Sequence, residues 1–187
     1  METIYTFGLI FTKNNLMEYR KIHYWQYEPG EEEERVLEAA LALTKKGRHN
    51  RYLSEIATFI TEHTGAKYIV IGQLSEDREH IHTLIFMDDK KLLDNYTYPL
   101  KGTPCEVTLA QRFCYHPFDV APSFPEDKEL QELQIESYLG SILLSEENEP
   151  IGLTVLMDAK QIENAAFAEH LIMVLSPAIE EEIKLLR

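Results

Sequence analysis

The sequence predicts an α+β fold, with a central antiparallel sheet of five to six strands flanked by helices and long helices at the N- and C-terminal ends. Three observations predict it. Two segments with helical spacing of apolar residues precede a series of short, β-rich apolar segments. Most turns between those segments are short, which favours antiparallel pairing. A long segment with a helical apolar stripe then closes the chain.

The first two helices are bounded by residues that start and stop helices. Pro29 and Gly30 form a break, and the acidic residues 31–34 then suit the positive end of a helix dipole. Apolar residues keep helical spacing over residues 31–46. A second helix is predicted over 50–64, with the following glycine as its stop.

Five strands are predicted from apolar runs between turns. The first is apolar almost throughout, which indicates a strand buried on both faces. An acidic turn joins the last two and predicts a hairpin. We expect all five to form one sheet, with a crossover over residues 103–136 on one of its faces. The five strands are residues 68–74, 81–87, 96–100, 137–144 and 151–157.

The stretch 98–140, between the third and fourth strands, is the part around which the chain is organised. It opens with a turn and a short helix predicted over 105–111. The remainder contains Pro117, Pro122 and Pro125, which make it too irregular for sheet or a long helix. Its cysteines, histidine and aromatic residues are unusual in a loop. A loop of this kind commonly covers a ligand pocket beside a sheet.

The last predicted helix covers residues 161–187. It contains Pro177, which we expect to kink or weaken it. Its apolar stripe over 171–186 exceeds what one sheet needs to cover. We therefore expect a homodimer in which this stripe contacts the first helix of a second copy, or a helix that continues into another domain.

Composition and charge exclude several classes of function. The chain has 187 residues and a net charge of −14, which disfavours binding to nucleic acid or to an anionic membrane. No apolar run reaches the ~18 residues of a membrane-spanning helix. The first residues lack the basic start and apolar core of a signal peptide, so we expect a cytoplasmic protein.

Four motifs in the central stretch carry a resemblance to a known family. They are YPL-x-GTPCE from Tyr98, C-x-x-P-x-x-V from Cys114, FPED-x-x-L from Phe124 and ESYLG-x-x-L from Glu136. Together with the order of elements, they resemble the GAF sensor domain found upstream of bacterial histidine kinases and diguanylate cyclases. The resemblance implies a GAF domain over residues 31–187.

Residues 1–30 form an N-terminal extension outside this resemblance. Two β-rich segments flank a turn-like segment there, which is compatible with a β-hairpin. The sequence leaves open whether the extension is an added edge of the sheet, a family-specific addition or the tail of a preceding module.

The resemblance also implies where a ligand would bind. The family pocket is surrounded by the end of the third strand, the crossover and the start of the fourth strand. The residues that these elements contribute are the candidate ligand-binding residues Tyr98, Phe113, Cys114, His116 and Tyr138. An alternative is that the same aromatic residues simply close the core.

Nothing in the sequence argues for catalysis, and no catalytic residue is predicted. The two cysteines cannot form a disulfide framework or a zinc site. Cys105 at a helix start could be a reactive thiol, and Cys114 near His116 is similar to the chromophore site of bilin-binding GAF domains. Tyr115 separates that pair, however, whereas the phytochrome pattern has the two residues adjacent. No cofactor and no metal site are therefore assigned.

The function predicted is that of a non-catalytic regulatory sensor domain. It would bind a small molecule, or sense a signal, and transmit it through its terminal helices to an output domain such as a histidine kinase or diguanylate cyclase. Two alternatives stay open at this point. One is a dimerisation module with no ligand, and the other is a redox enzyme that depends on a cysteine.

Overall fold

The computed structural model describes residues 27–45 and 51–186. Two helices open this part of the chain, strands and short helices alternate through its middle, and one long helix ends it. In chain order the elements are α1 (Glu31–Thr44), α2 (Tyr52–Thr64), β1 (Tyr68–Leu74), β2 (His80–Asp88), β3 (Lys91–Leu92), β4 (Thr97–Pro99), α3 (Pro104–Gln111), β5 (Phe113–His116), α4 (Val120–Ser123), α5 (Lys128–Glu132), β6 (Ser137–Leu144), β7 (Pro150–Asp158) and α6 (Ala165–Leu185).

The strands form one antiparallel sheet, as predicted. Its order is β3-β2-β1-β7-β6-β5, and β4 pairs with β2 beside β3. β1 and β7, which lie in the middle, pair from Tyr68 opposite Met157 to Gln73 opposite Gly152. The order of elements and the five predicted strands are confirmed, together with the α+β fold class.

The sheet has seven strands rather than five or six, and this corrects one expectation about the crossover. Phe113–His116 was expected to be irregular, yet it forms β5 at the sheet edge and pairs with β6. All four of its residues are buried. A strand of four residues that is buried on both faces shows no alternation, and Pro117 ends it at once.

Each face of the sheet is covered by a different set of helices. α1, α2 and α6 cover one face, where they bury Ile69, Leu139 and Leu156. The segment from α3 to α5 covers the other face, where Val70 and Val155 point. Alternation along a strand sends neighbouring side chains to opposite faces. The sheet therefore separates the terminal helices from the crossover.

α6 continues as one helix through Pro177. Its apolar stripe is largely covered by the same chain, because α1, α2 and β6 contact it. Leu171, Leu175 and Ile179 have no exposed surface. The argument that this stripe is surplus was therefore wrong for most of its length, although Met173 and, at the end of the helix, Leu185 and Leu186 are exposed. The homodimer stays a prediction.

Three further expectations concern the ends of the chain and the membrane. The possible β-hairpin was predicted within residues 1–30, of which residues 1–26 lie outside the described residues, so the hairpin and the domain boundary at residues 30 and 31 stay predictions. Within the described ranges, none of the helices has the length and apolar character needed to cross a membrane.

Candidate functional site

A cavity of about 450 Å³ lies between the sheet and the crossover. Its floor is the crossover face of three neighbouring strands, from which Val70, Tyr138, Val155 and Met157 point into it. These positions fall on β1, β6 and β7, which are buried along most of their length. The floor is therefore apolar except for the hydroxyl of Tyr138.

One wall of the cavity consists of two tyrosines, Tyr96 just before β4 and Tyr98 within it. Tyr96 and Tyr98 are two residues apart in extended chain, so their rings lie on the same side, with centroids 5.5 Å apart and planes tilted by 34°. Phe86 on β2 supports the Tyr96 ring at a centroid distance of 5.7 Å. Both tyrosine rings border the cavity.

The start of α3 forms another wall of the cavity. Gly102 has a φ of +79°, which glycine adopts without steric strain, and its N–H donates to the Glu106 carboxylate over 3.0 Å. The Thr103 hydroxyl donates to the carbonyl of Leu100 over 2.6 Å. This turn places Cys105, in the first turn of the helix, against the cavity.

A small polar cluster surrounds the Cys105 thiol inside the cavity. The Tyr98 hydroxyl lies 3.3 Å from Sγ of Cys105, and the Tyr138 hydroxyl donates to the same sulfur over 3.4 Å. The Tyr138 hydroxyl also lies 2.8 Å from Oγ1 of Thr108 on α3. Burial raises the pKa of the Cys105 thiol to about 11, so the thiol is protonated at neutral pH.

The mouth of the cavity is acidic. Residues of α5 and of the turn before it contribute carboxylates there, and the Tyr96 hydroxyl donates to the Glu129 carboxylate. The Asp127 carboxylate accepts from the Leu130 N–H over 3.3 Å and caps α5. Burial raises the pKa of the Asp127 and Glu129 carboxyl groups. Glu126 and Glu132 complete this acidic side.

The structure brings two of the five predicted site residues to the cavity. Tyr98 and Tyr138 line it. Cys114 is buried on the same face of the sheet but does not reach the cavity. Phe113 packs on the opposite face, among the terminal helices, because side chains alternate along β5. Convergence of all five residues on one concave region was therefore wrong, because Phe113, Cys114 and His116 do not line the cavity.

His116 and Cys114 are held as neutral core residues. The His116 ring meets Phe124 edge to face, with centroids 5.4 Å apart, and burial lowers its pKa to about 4. Burial, together with the nearby Cys105, raises the pKa of Cys114 to about 12. The Cys114 thiol is therefore protonated at neutral pH, which is not the form that acts as a nucleophile, and the His116 ring is neutral and only weakly basic.

Sequence reasoning missed the acidic mouth and the part that Cys105 plays in the cavity. The Tyr96-x-Tyr98 spacing on a strand was the signal that could have placed Tyr96 beside Tyr98. The FPED-x-x-L motif that carried the resemblance also contains Glu126 and Asp127. Within residues 27–45 and 51–186, no group of three or more histidine, cysteine or acidic residues is placed to hold a metal ion.

Comparison with known proteins identifies the fold. Neither the family models nor the curated proteins compared with the sequence give a match. Solved structures do match. The GAF domain of an Acinetobacter phosphoenolpyruvate-protein phosphotransferase aligns with 84% of this chain and 96% of its own, with a TM-score of 0.64 and 10% identity. The free methionine-R-sulfoxide reductase of Neisseria meningitidis, solved with its substrate, aligns over 87% of this chain and 96% of its own, with a TM-score of 0.64 and 13% identity.

Phytochromes match over a smaller part of their own length. The chromophore-binding domain of an unusual R. palustris bacteriophytochrome has a TM-score of 0.65 at 10% identity, over 83% of this chain and 62% of that domain. This chain spans 39% of a longer structure of the same bacteriophytochrome. Identities this low establish the fold alone. The chain has the fold of a GAF domain.

Proposed function

We propose that the chain is a non-catalytic regulatory domain that binds a small molecule in the cavity between its sheet and its crossover. The observation that carries the proposal is the cavity itself. Its volume of about 450 Å³ is that of a small-molecule site, and its apolar floor is combined with a few polar groups on Tyr98, Tyr138 and Cys105. The GAF domains and phytochrome domains that share the fold favour a sensory role.

A route from the cavity to the terminal helices follows from alternation along the strands. Tyr138 lines the cavity, and its neighbour Leu139 is buried against the helices on the other face. Val155 and Leu156 on β7 repeat this arrangement. A ligand that moves β6 or β7 changes the surface on which α6 lies. We propose that α1 and α6 transmit this change to an output domain, such as a histidine kinase or a diguanylate cyclase.

The redox enzyme is the weaker alternative. A neighbour in fold is a free methionine-R-sulfoxide reductase, and Cys105 of this chain borders the cavity, which favours that alternative. The thiol chemistry opposes it. Burial raises the pKa of both cysteines, to about 11 for Cys105 and about 12 for Cys114, so both stay in the unreactive thiol form.

Ligand binding can be tested directly. The protein is purified from its own host and examined by native mass spectrometry, and a fragment library is then titrated while amide NMR shifts are recorded. We expect a bound molecule, or fragments that shift the signals of β4, α3 and α5. A Val70→Phe variant fills the cavity floor and should abolish the effect, whereas Leu92→Phe on the exposed sheet edge should not.

A dimerisation module with no ligand makes the opposite prediction. In that case no molecule accompanies the protein, and no fragment shifts the signals of the cavity residues in a way that Val70→Phe abolishes. That outcome would refute the ligand-binding proposal. Circular dichroism and thermal melting of both variants show whether each is folded, so that loss of binding is not confused with loss of structure.

A further inference from the structure

We propose that the cavity selects an organic cation, meaning an amine or quaternary ammonium compound with an apolar body. This inference rests on the proposed ligand-binding function and names the chemical class of the ligand. It follows from the distribution of charge, aromatic rings and apolar surface around the cavity.

The charge at the cavity mouth is negative on balance. Four carboxylates border the cavity, against two lysines, Lys101 and Lys128, which are both exposed to solvent. Asp127 and Glu129 are half-buried instead. In the described part of the chain, none of the ion pairs within 4.0 Å joins either carboxylate to a lysine or an arginine. Among the described residues, these two partly buried acidic groups therefore have no lysine or arginine as an ion-pair partner.

The environment of Glu129 is that of a site that needs a positive partner. Burial raises its pKa, and the neighbouring charges of Asp127 and Glu132 raise it further. Its ionised form is thus poorly solvated, and the Tyr96 hydroxyl, which donates a hydrogen bond to it, is a neutral group. A bound cation would relieve this repulsion, whereas a phosphate or carboxylate would add to it.

Aromatic rings lie next to these carboxylates. Because the Tyr96 hydroxyl donates to Glu129, a cation paired with Glu129 lies beside the Tyr96 ring and close to Tyr98. Tyrosine rings attract organic cations through the negative charge on their faces, and the attraction grows when water is excluded. The apolar floor formed by Val70, Val155 and Met157 would then hold the apolar part of the ligand.

The test uses three probes with the same apolar body and different charge. Benzylammonium, benzyl alcohol and benzoate are titrated separately into the full chain at neutral pH and constant ionic strength, and amide NMR shifts give each dissociation constant. We expect benzylammonium to bind at least about tenfold more tightly than benzyl alcohol. Benzoate should bind most weakly, because it meets the acidic mouth.

Variants then locate the source of the selectivity. Glu129→Gln keeps an acceptor for the Tyr96 hydroxyl but removes the charge, and it should weaken benzylammonium about tenfold with little effect on benzyl alcohol. Glu76→Gln, in the exposed turn between β1 and β2, makes the same change in net charge away from the cavity and should leave both affinities unaltered.

The outcomes separate this inference from the proposed function. Equal affinity for benzyl alcohol and benzylammonium, or no effect of Glu129→Gln, would overturn the choice of a cation while leaving a ligand-binding cavity. Tighter binding of benzoate would do the same. If none of the three probes binds, the cation proposal fails, and the fragment titration with Val70→Phe decides whether the cavity binds any ligand.

Discussion

At the scale of single residues, the most unusual group lies on the helical face of the sheet. Glu169 on α6 has no exposed surface, and neither carboxylate oxygen has a hydrogen-bond partner among the described residues. Burial raises its pKa to about 8. The carboxyl group is therefore protonated in the folded protein over a pH range in which the unfolded chain has released the proton.

This difference predicts a pH-dependent stability. Because the folded pKa lies above the ordinary value of 4.5, the contribution of Glu169 is fully present below about pH 4.5 and is lost as pH rises towards about 8. Glu169→Gln should remove this decrease in the free energy of unfolding, which is on the order of a few kcal/mol. The variant should therefore be more stable than wild type near pH 8. Urea unfolding of both proteins across this range measures it.

The control for this prediction is an exposed carboxylate nearby. Glu163→Gln, just before α6, should follow the wild-type pH dependence. If Glu169→Gln also follows the wild-type curve over the whole range, then the buried carboxyl group does not titrate as its surroundings require.

His116 predicts a pH dependence of stability with the opposite sign. Its Nε2 is buried without a hydrogen-bond partner in the described structure, and burial lowers its pKa from 6.5 to about 4. The native state therefore loses stability as pH falls from about 6.5 towards 4, because the unfolded chain takes up the proton first. His116→Phe should flatten this acid limb and keep the ring contact with Phe124. Thermal melting at several pH values checks it, and an acid limb as steep as that of wild type would contradict it.

At the scale of elements, the contact between α3 and β6 depends on a glycine. A Cβ at Gly140 would lie 2.4 Å from Oγ1 of Thr108 and 2.5 Å from the Tyr138 hydroxyl oxygen. Gly140 therefore lets α3 lie close over the strand and lets the Tyr138 ring fold across it. This close contact between α3 and β6 joins one wall of the cavity to its floor.

Gly140→Ala should therefore destabilise the protein by about 1–3 kcal/mol, through overpacking and loss of the contact between Thr108 and Tyr138. Thermal or urea unfolding measures the change. Gly30→Ala is the matched control, since its Cβ would meet only one atom within 4.0 Å, and it should have little effect. Equal stability of the two variants would show that α3 is not held at this distance.

The strands differ in how well the sequence predicts them. β1, β6 and β7 are long apolar runs between clear turns, so their bounds and their antiparallel pairing were predictable. β5 was not, because four buried residues next to a proline carry no period. Without that strand, the opposite directions of Phe113 and Cys114 could not be foreseen.

At the scale of the whole molecule, exposed apolar residues remain on the terminal helices. Leu185 and Leu186 at the end of α6 are 63% and 60% exposed, and Leu41 on α1 is 49% exposed. We expect these residues to contribute to a homodimer, although the buried stripe of α6 no longer demands one.

Light scattering across micromolar concentrations tests the dimer. The double change Leu185→Glu with Leu186→Glu should shift the protein towards monomer by placing charge in the contact. Leu92→Glu, on an exposed apolar residue of the sheet edge, should leave the assembly unchanged. A wild-type protein that is monomeric throughout would refute the expectation.

The sequence by itself determined the five predicted strands, the helices at both ends of the domain and their order, because apolar periodicity and turn residues are local properties of the chain. The family resemblance, and not the periodicity, implied that Tyr98 and Tyr138 lie beside a pocket, and both line the cavity. Only the tertiary structure decided which face of the sheet each residue of β5 occupies. Neighbouring side chains in a strand point to opposite faces, so the faces are known only once the strand and its register are known. The acidic mouth was decided there too, because Tyr96 and Glu129 are 33 positions apart in the chain and meet only when α5 closes over the sheet.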